Sequence, residues 1–335
     1  MKIFQKLGID LGTNNTLIWQ AGEGIVVEEP TVVAVEAETG AVLAAGSEAK
    51  KMLGKTPVNI DIVRPFKDGV ICDFGVTEAM LKYFLRQAAG RWWFLGPEVV
   101  LALPAQISGV EQRAVAEAVL GAGARKAHFI DKPLAAAIGT KIPVAESSGN
   151  MMVDIGGGST EAAVVAVGGV VASKSQKTGG SRLDALIMEK VKKEHNLVIG
   201  EGTAENLKIK LGSAIKLKRP ESMEVNGRDS ISGLPKTVTV SSDEVYEAVR
   251  PGLEVVLETI KGTVEAISPE LVADISDRGI VLCGGQAMLR NINILVTREI
   301  GVSAHVAIEP RLAVIKGLGV VVENWAEYSQ IIRQL

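Results

Sequence analysis

Apolar residues in this chain run in short blocks or recur at helical spacing, and Gly, Asn and Pro punctuate the blocks. That rhythm predicts strands interleaved with helices, the α/β class. Residues 7–19 read as two strands broken by the turn Gly12-Thr13-Asn14-Asn15, with further strands at 25–35 and 41–45. Met80, Leu81, Phe84, Leu85 and Ala88 fall on one face of a predicted helix over 77–89. A strand over 99–103 sits between Pro97 and Pro104, and Ser108-x-x-Glu111 is a capping box opening a helix to about Leu120. The strand 127–130 then leads to Pro133, a residue suited to the first helical position.

From Met151 the pattern starts over. Residues 151–155 form a strand, 156–159 a turn, and 161–167 a strand that doubles back at Gly168-Gly169. Helices follow near 181–194 and 203–216, and Asn226-Gly227 reads as a hairpin turn between short strands. A second capping box, Ser241-x-x-Glu244, starts a long helix toward Ile267. The strand 279–283 runs into Gly284-Gly285, and a helix follows Pro310.

The two halves share a signature. Ile9-Asp10-Leu11-Gly12-Thr13-Asn14-Asn15-Thr16 aligns with Val153-Asp154-Ile155-Gly156-Gly157-Gly158-Ser159-Thr160 in its apolar, Asp, apolar, Gly and closing Thr positions. Two such segments, each opening a half, predict a duplicated fold. A strand–Gly turn–strand gathers backbone N–H groups into a concave donor set that cradles phosphate oxygens. Thr13, Asn14, Asn15, Ser159 and Thr160 add short polar donors at the same rim. Asp10 and Asp154 would repel a polyphosphate unless Mg²⁺ stood between them, so they are the candidate metal carboxylates. The alternative is a pair of ordinary glycine-rich hairpins.

Composition narrows the setting. With 335 residues, 47% hydrophobic and 22% charged, the chain is long enough for two cores and is not disordered. A net charge of −3 predicts no nucleic-acid partner. Cys72 and Cys283 lie in apolar stretches, which predicts buried thiols in a reducing cytoplasm. His128, His195 and His305 are scattered without zinc-ligand spacing. No apolar run reaches the ~18–20 residues that span a bilayer, and Met1–Lys6 has no secretory apolar core. The expected location is the cytoplasm.

These hairpins resemble the two phosphate motifs of the actin, heat-shock chaperone and sugar kinase superfamily, and 279–285 resembles its adenosine motif. Within it, the chain is similar to the bacterial MreB family over almost its whole length. The similarity is carried by Asp10-Leu11-Gly12-Thr13-x-Asn15-Thr16, Arg64-Pro65-x-Lys67-Asp68-Gly69-Val70, Pro133-x-Ala135-Ala136-Ala137-Ile138-Gly139 and Val153-Asp154-Ile155-Gly156-Gly157-Gly158. It continues through Asp274-Ile275-Ser276-x-Arg278-Gly279 and Leu289-Arg290-Asn291. The resemblance implies two actin-like (ribonuclease H-like) domains around a nucleotide cleft, each with a small insertion. Domain I would cover 1–140, with an insertion at about 31–75, completed by 310–335. Domain II would cover 141–309, with an insertion at about 185–245.

The same resemblance implies ATP and Mg²⁺ as cofactors and assigns nucleotide contacts to Gly179, Gly180, Glu205, Lys208, Gly284, Gly285, Gln286, Ala287 and Met288. Glu205 would accept from ribose hydroxyls and the Lys208 stem would pack on adenine. Their i, i+3 spacing equally fits a solvated surface ion pair. Gln286 stands where the family usually has a third glycine, and Ser181 where an acidic residue usually follows the glycine pair.

One departure bears on chemistry. The family carries Glu-Glu-Pro before the Pro-x-Ala-Ala-Ala-Ile-Gly segment, whereas this chain has Asp131-Lys132-Pro133. Lys132 replaces the carboxylate taken to orient the attacking water, and a charged lysine donates but cannot accept. Strong binding with slow hydrolysis is expected, with Asp131, Glu161 and Thr160 as the remaining catalytic candidates. Lys132 pointing into solvent is the alternative.

Trp92, Trp93, Phe94 and Leu95 cluster in the connector after the predicted helix, beside Arg91. Their composition suits burial against the core as well as exposure. In the MreB family this connector dips into the bilayer, which implies a membrane-touching loop, assisted here by Met1, Ile3 and Phe4. The family further implies head-to-tail, paired protofilaments and membrane proteins of the wall-elongation machinery as partners. A small-molecule kinase and a chaperone-like ATPase of the same superfamily are the competing functions.

Overall fold

The computed structural model describes residues 5–67 and 69–334, with Trp92 considered through its backbone alone. Met1, Ile3, Phe4 and Asp68, named above, therefore lie outside the described residues. The chain divides into two compact units, Met1–Met152 with Ala163–Ser173 and Arg311–Leu335, and Val153–Ala162 with Lys174–Pro310.

A six-stranded sheet in the first unit has the order Arg333–Gln334, Lys126–Asp131, Glu98–Leu103, Lys6–Leu11, Asn15–Gln20, Gly24–Pro30. Lys6–Leu11 pairs antiparallel with Asn15–Gln20 and parallel with Glu98–Leu103, which in turn pairs parallel with Lys126–Asp131. A five-stranded sheet runs Gly169–Gln176, Thr160–Ala166, Asn150–Ile155, Ile280–Cys283, Ala304–Val306. Leaving aside the terminal strand Arg333–Gln334, both sheets repeat one plan: three sequential strands, then two later ones beside the first. The duplication read from two octapeptides thus extends to strand order.

Smaller sheets form at Val33–Glu36, Val42–Ala45 and Ile60–Val63, and at Leu197–Val198, Ser222–Asp229 and Pro235–Ser241. The core of the first unit is built from sheet residues such as Leu7, Ile9, Val99, Leu101 and Phe129 against Met80, Leu81, Phe84 and Leu85 of the helix Phe74–Ala89. That helix starts three residues before the predicted point because Asp73 accepts from Val76 N–H at 2.9 Å and caps it.

Glycine sets one helix contact. A Cβ on Gly139 would lie 1.9 Å from the Ala313 carbonyl oxygen, and one on Gly317 would lie 1.7 Å from that of Ala135. The small-residue run from Pro133 to Gly139 therefore lets Lys132–Gly139 and Ala313–Glu323 meet backbone to backbone.

Three expectations need correction. Asn226 and Gly227 lie inside the strand Ser222–Asp229, opposite Thr237 and Lys236, and do not form the turn. The strand Leu197–Val198 passes so close that a Cβ on Gly227 would sit 2.5 Å from the Val198 carbonyl oxygen. The bend comes later, where Asp229 accepts from the N–H groups of Ile231 and Ser232 at 2.9 and 2.8 Å and Gly233 takes φ 75°. Cys283 is buried, but Cys72 is exposed, because it stands in the bend between Val70–Ile71 and the helix cap at Asp73. The helix expected over 203–216 spans Glu201–Leu211, where Gly212 closes against the Lys208 carbonyl.

Candidate nucleotide site

In the first unit the strands Lys6–Leu11 and Asn15–Gln20 are joined by a turn closed from Gly12 N–H to the Asn15 carbonyl at 3.1 Å. Gly12 is required there, since a Cβ would stand 2.7 Å from that carbonyl oxygen. Thr31 braces the turn. Its hydroxyl donates to the Gly12 carbonyl at 2.7 Å and meets the Thr16 hydroxyl at 2.9 Å, and its N–H donates to the Asn14 carbonyl at 2.9 Å. Asp10 is 8% exposed and Thr13 is buried, whereas Asn14 and Asn15 are half-exposed at the rim.

The second unit repeats the construction. Gly156 N–H donates to the Ser159 carbonyl at 2.9 Å, and Thr160, fully buried, donates its hydroxyl to the Thr178 carbonyl at 2.7 Å. The closing Thr of each octapeptide is thus a brace rather than a free donor, and this leaves Thr160 poorly placed for catalysis. Thr31 and Thr178 were not singled out in the sequence. The signal available was a threonine 15 or 18 residues after each closing Thr.

The glycine pair lies against this second hairpin. Gly180 N–H donates to the Gly156 carbonyl at 3.0 Å and Ser181 N–H to the Gly157 carbonyl at 2.8 Å. A Cβ on Gly179 would lie 2.6 Å from the Gly156 oxygen. Gly284, at φ 86°, is pressed equally close, with a hypothetical Cβ 2.3 Å from Asp154 Oδ1 and 2.4 Å from the Ile155 carbonyl oxygen. Asp154 is 6% exposed. Gly158 is buried, Gly157 and Ser159 are half-buried, and Glu161 is buried one residue beyond Thr160.

Lys208 is no surface cation. It is 5% exposed, with Nζ 3.1 Å from the Gly180 carbonyl and 2.8 Å from Asp184 Oδ1. Burial raises the Asp184 pKa above the usual carboxylate range, while Lys208 opposes the shift. Glu205, one turn earlier on Glu201–Leu211, is half-exposed. Gln286 faces Gly180, whose added Cβ would stand 2.4 Å from Gln286 Nε2. Gly285, Gln286, Ala287 and Met288 form a single 3₁₀ turn, in which Ala287 is buried and Met288 exposed.

Asp131 and Lys132 stand at the start of Lys132–Gly139, both half-buried, and Arg333 pairs with the Asp131 carboxylate. In the apolar connector Gly90–Leu95, Trp93 packs against the core under Arg86, whose guanidinium is 5.2 Å from the ring centroid. Phe94 is 73% exposed and Leu95 half-buried. Among the described residues no helix is long and apolar enough to cross a membrane.

The donor chemistry fits a magnesium polyphosphate. The first hairpin has no room for a side chain at Gly12, Gly179 and Gly284 press as closely on the second, and each hairpin carries one sequestered aspartate. The MreB/Mbl protein family profile matches residues 4–330. The cell shape-determining protein Mbl of Bacillus cereus is 44% identical over 318 residues, 95% of this chain and 96% of that protein. The cell shape-determining protein MreB of Escherichia coli K12 is 44% identical over 322 residues, covering 95% and 93%. Among solved structures, MreB5 of Spiroplasma citri bound to ADP superposes with a TM-score of 0.92 at 31% identity over 98% of both chains. The same protein bound to AMPPNP gives the same score, 0.92. The MamK double helical filament shares the fold, with a TM-score of 0.80 at 21% identity over 96% of this chain. The fold is therefore α/β and actin-like.

Proposed function

Because the chain belongs to the MreB/Mbl family of cell shape-determining, actin-like proteins, we propose that it is an ATP-dependent filament protein working on the inner face of the cytoplasmic membrane. The observation that carries the nucleotide reading is the second hairpin. Its carbonyls are taken up by Gly180 and Ser181, its Thr160 is braced on Thr178, and Gly284 closes on Asp154. Asp10 and Asp154 are the carboxylates for Mg²⁺. When bound, the ion neutralises phosphate charge and keeps part of its water shell. The ADP and AMPPNP held by the S. citri relative support an adenine nucleotide.

Hydrolysis is slow in this reading, because Lys132 offers only donors where the family has a carboxylate. Subunits stack head to tail through a heterologous contact that does not close on itself, which yields an open and then paired filament. Phe94, exposed at the tip of the apolar connector, is the side chain offered to lipid. One such anchor holds loosely, and a polymer multiplies it. The expected partners are further copies of the chain, the membrane surface and membrane proteins of cell-wall elongation.

Sedimentation and electron microscopy with Mg·ATP on anionic liposomes test the proposal. Nucleotide-dependent filaments on lipid are expected. Dispersed protein under all nucleotide conditions would reject assembly, and ADP formation that depends on an added sugar would favour a kinase.

A further inference from the structure

The family places the Lys208 stem on adenine, yet this chain uses the ammonium in another way. Lys208 projects from Glu201–Leu211 into a space where almost none of its surface meets solvent. The Gly180 carbonyl accepts from it at 3.1 Å, and Asp184 Oδ1 lies 2.8 Å away as its ion-pair partner. Asp184 sits one turn along the helix that begins at Gly180, so both partners belong to a single helix N-terminus. A lysine spent in this way has its charge matched inside the protein and points away from the role of a mobile recognition arm.

The Gly180 peptide continues the connection. Its carbonyl accepts from Lys208, while its own N–H donates to the Gly156 carbonyl at 3.0 Å. The neighbouring Ser181 N–H holds the Gly157 carbonyl at 2.8 Å. Gly179 lies so close to the hairpin that a Cβ there would stand 2.6 Å from the Gly156 oxygen, so no larger residue fits at that position. On its other side Gln286 occupies the space in front of Gly180.

We propose that Lys208 is a positioning residue for the phosphate hairpin, acting through Gly180 on Gly156 and Gly157, and that it does not read the base. This rests on the hairpin being the phosphate site. Lys208 and Asp184 then form a strut that fixes where the hairpin N–H groups point. Removing the strut weakens every ligand with a triphosphate by the same factor, whatever base it carries.

The test compares Lys208→Met with the unaltered chain for binding of Mg·ATP, Mg·GTP and Mg·tripolyphosphate. Hydrogen exchange at residues 156–160 is followed in the nucleotide-free protein. The expected result is a loss of roughly tenfold or more for all three ligands, the scale of one charge-assisted hydrogen bond, with the ATP:GTP ratio unchanged and faster hairpin exchange. A changed ATP:GTP ratio with undiminished tripolyphosphate binding overturns the proposal, as does unchanged exchange at the hairpin. If Lys208→Met does not fold, Asp184→Asn replaces it and should give a smaller, equally base-independent loss. A shift in base preference in that variant also overturns the proposal. An unaltered chain that binds none of the three ligands rejects the nucleotide reading itself, while the exchange comparison still reports on the strut.

Discussion

Thr160, itself fully buried, donates its hydroxyl proton to the carbonyl of Thr178 at 2.7 Å. The bond pins the far end of the second glycine hairpin to the segment that leads into the glycine pair. Thr16 and Thr31 make the equivalent brace in the first unit at 2.9 Å. Thr160→Val keeps the shape and removes the donor, so it should lower unfolding stability by about 1–3 kcal/mol. Urea denaturation midpoints read that change. The variant should also bind nucleotide more weakly, because the hairpin loses its anchor.

The proposed slow hydrolysis turns on Lys132. Phosphate release from the unaltered chain should be slow, and Lys132→Glu should raise it, by up to the ~10²–10⁴ that an acid–base group typically contributes. Unchanged release in Lys132→Glu, with nucleotide binding intact, would place the limiting group elsewhere.

The apolar connector divides into an inward and an outward residue. Trp93 rests on the core and fills the space above Gly123, whose added Cβ would stand 2.4 Å from the ring. Trp93→Ala should therefore cost stability, up to about 1.5–3 kcal/mol, the figure for full burial of a large side chain, since Trp93 is only partly buried. Phe94→Ser should leave the melting temperature nearly unchanged and reduce co-sedimentation with anionic liposomes. The opposite pattern would show that the loop serves packing alone.

Much of this was legible in the chain itself. The capping boxes at Ser108 and Ser241 form as read, each with the Ser accepting from the N–H of the Glu three residues on and the Glu reaching back. They are legible because both partners lie within one helical turn. The helices Pro269–Arg278 and Ile292–Ile300 were not read. The first is short, and its apolar face is only Leu271, Val272 and Ile275, of which Ile275 alone is buried, so it offers too few positions to mark a helix. Asn226-Gly227 misled because a local turn preference was overridden by a strand passing beside Gly227. Lys208 was ambiguous for a related reason. Its i, i+3 partner Glu205 suggests a solvated pair, while the decisive partners, the Gly180 carbonyl and the Asp184 carboxylate, are distant in sequence.

His128 supplies a pH dependence. It is buried on the strand Lys126–Asp131 with Nε2 lacking a hydrogen-bond partner, and it packs edge-on to Trp325 with ring centroids 5.0 Å apart. Burial pushes its pKa below the usual 6.5, Glu98 pulls it up, and Lys126 and Lys6 push it further down. In the window between its lowered value and 6.5 the unfolded chain takes up a proton that the folded chain refuses, so stability rises with pH there. Stability present above that window should be lost as pH falls through it. His128→Phe should flatten the dependence, as read by urea midpoints on either side of the window with Trp fluorescence.

Isothermal titration of Mg·ATP into the purified chain is the most direct test of the central claim, that the glycine hairpins with Asp10 and Asp154 bind a magnesium nucleotide. One nucleotide per chain should bind in a magnesium-dependent manner, and Asp10→Asn and Asp154→Asn should each weaken it sharply while the protein stays folded. Binding that ignores magnesium and both substitutions, or no binding at all, would contradict it.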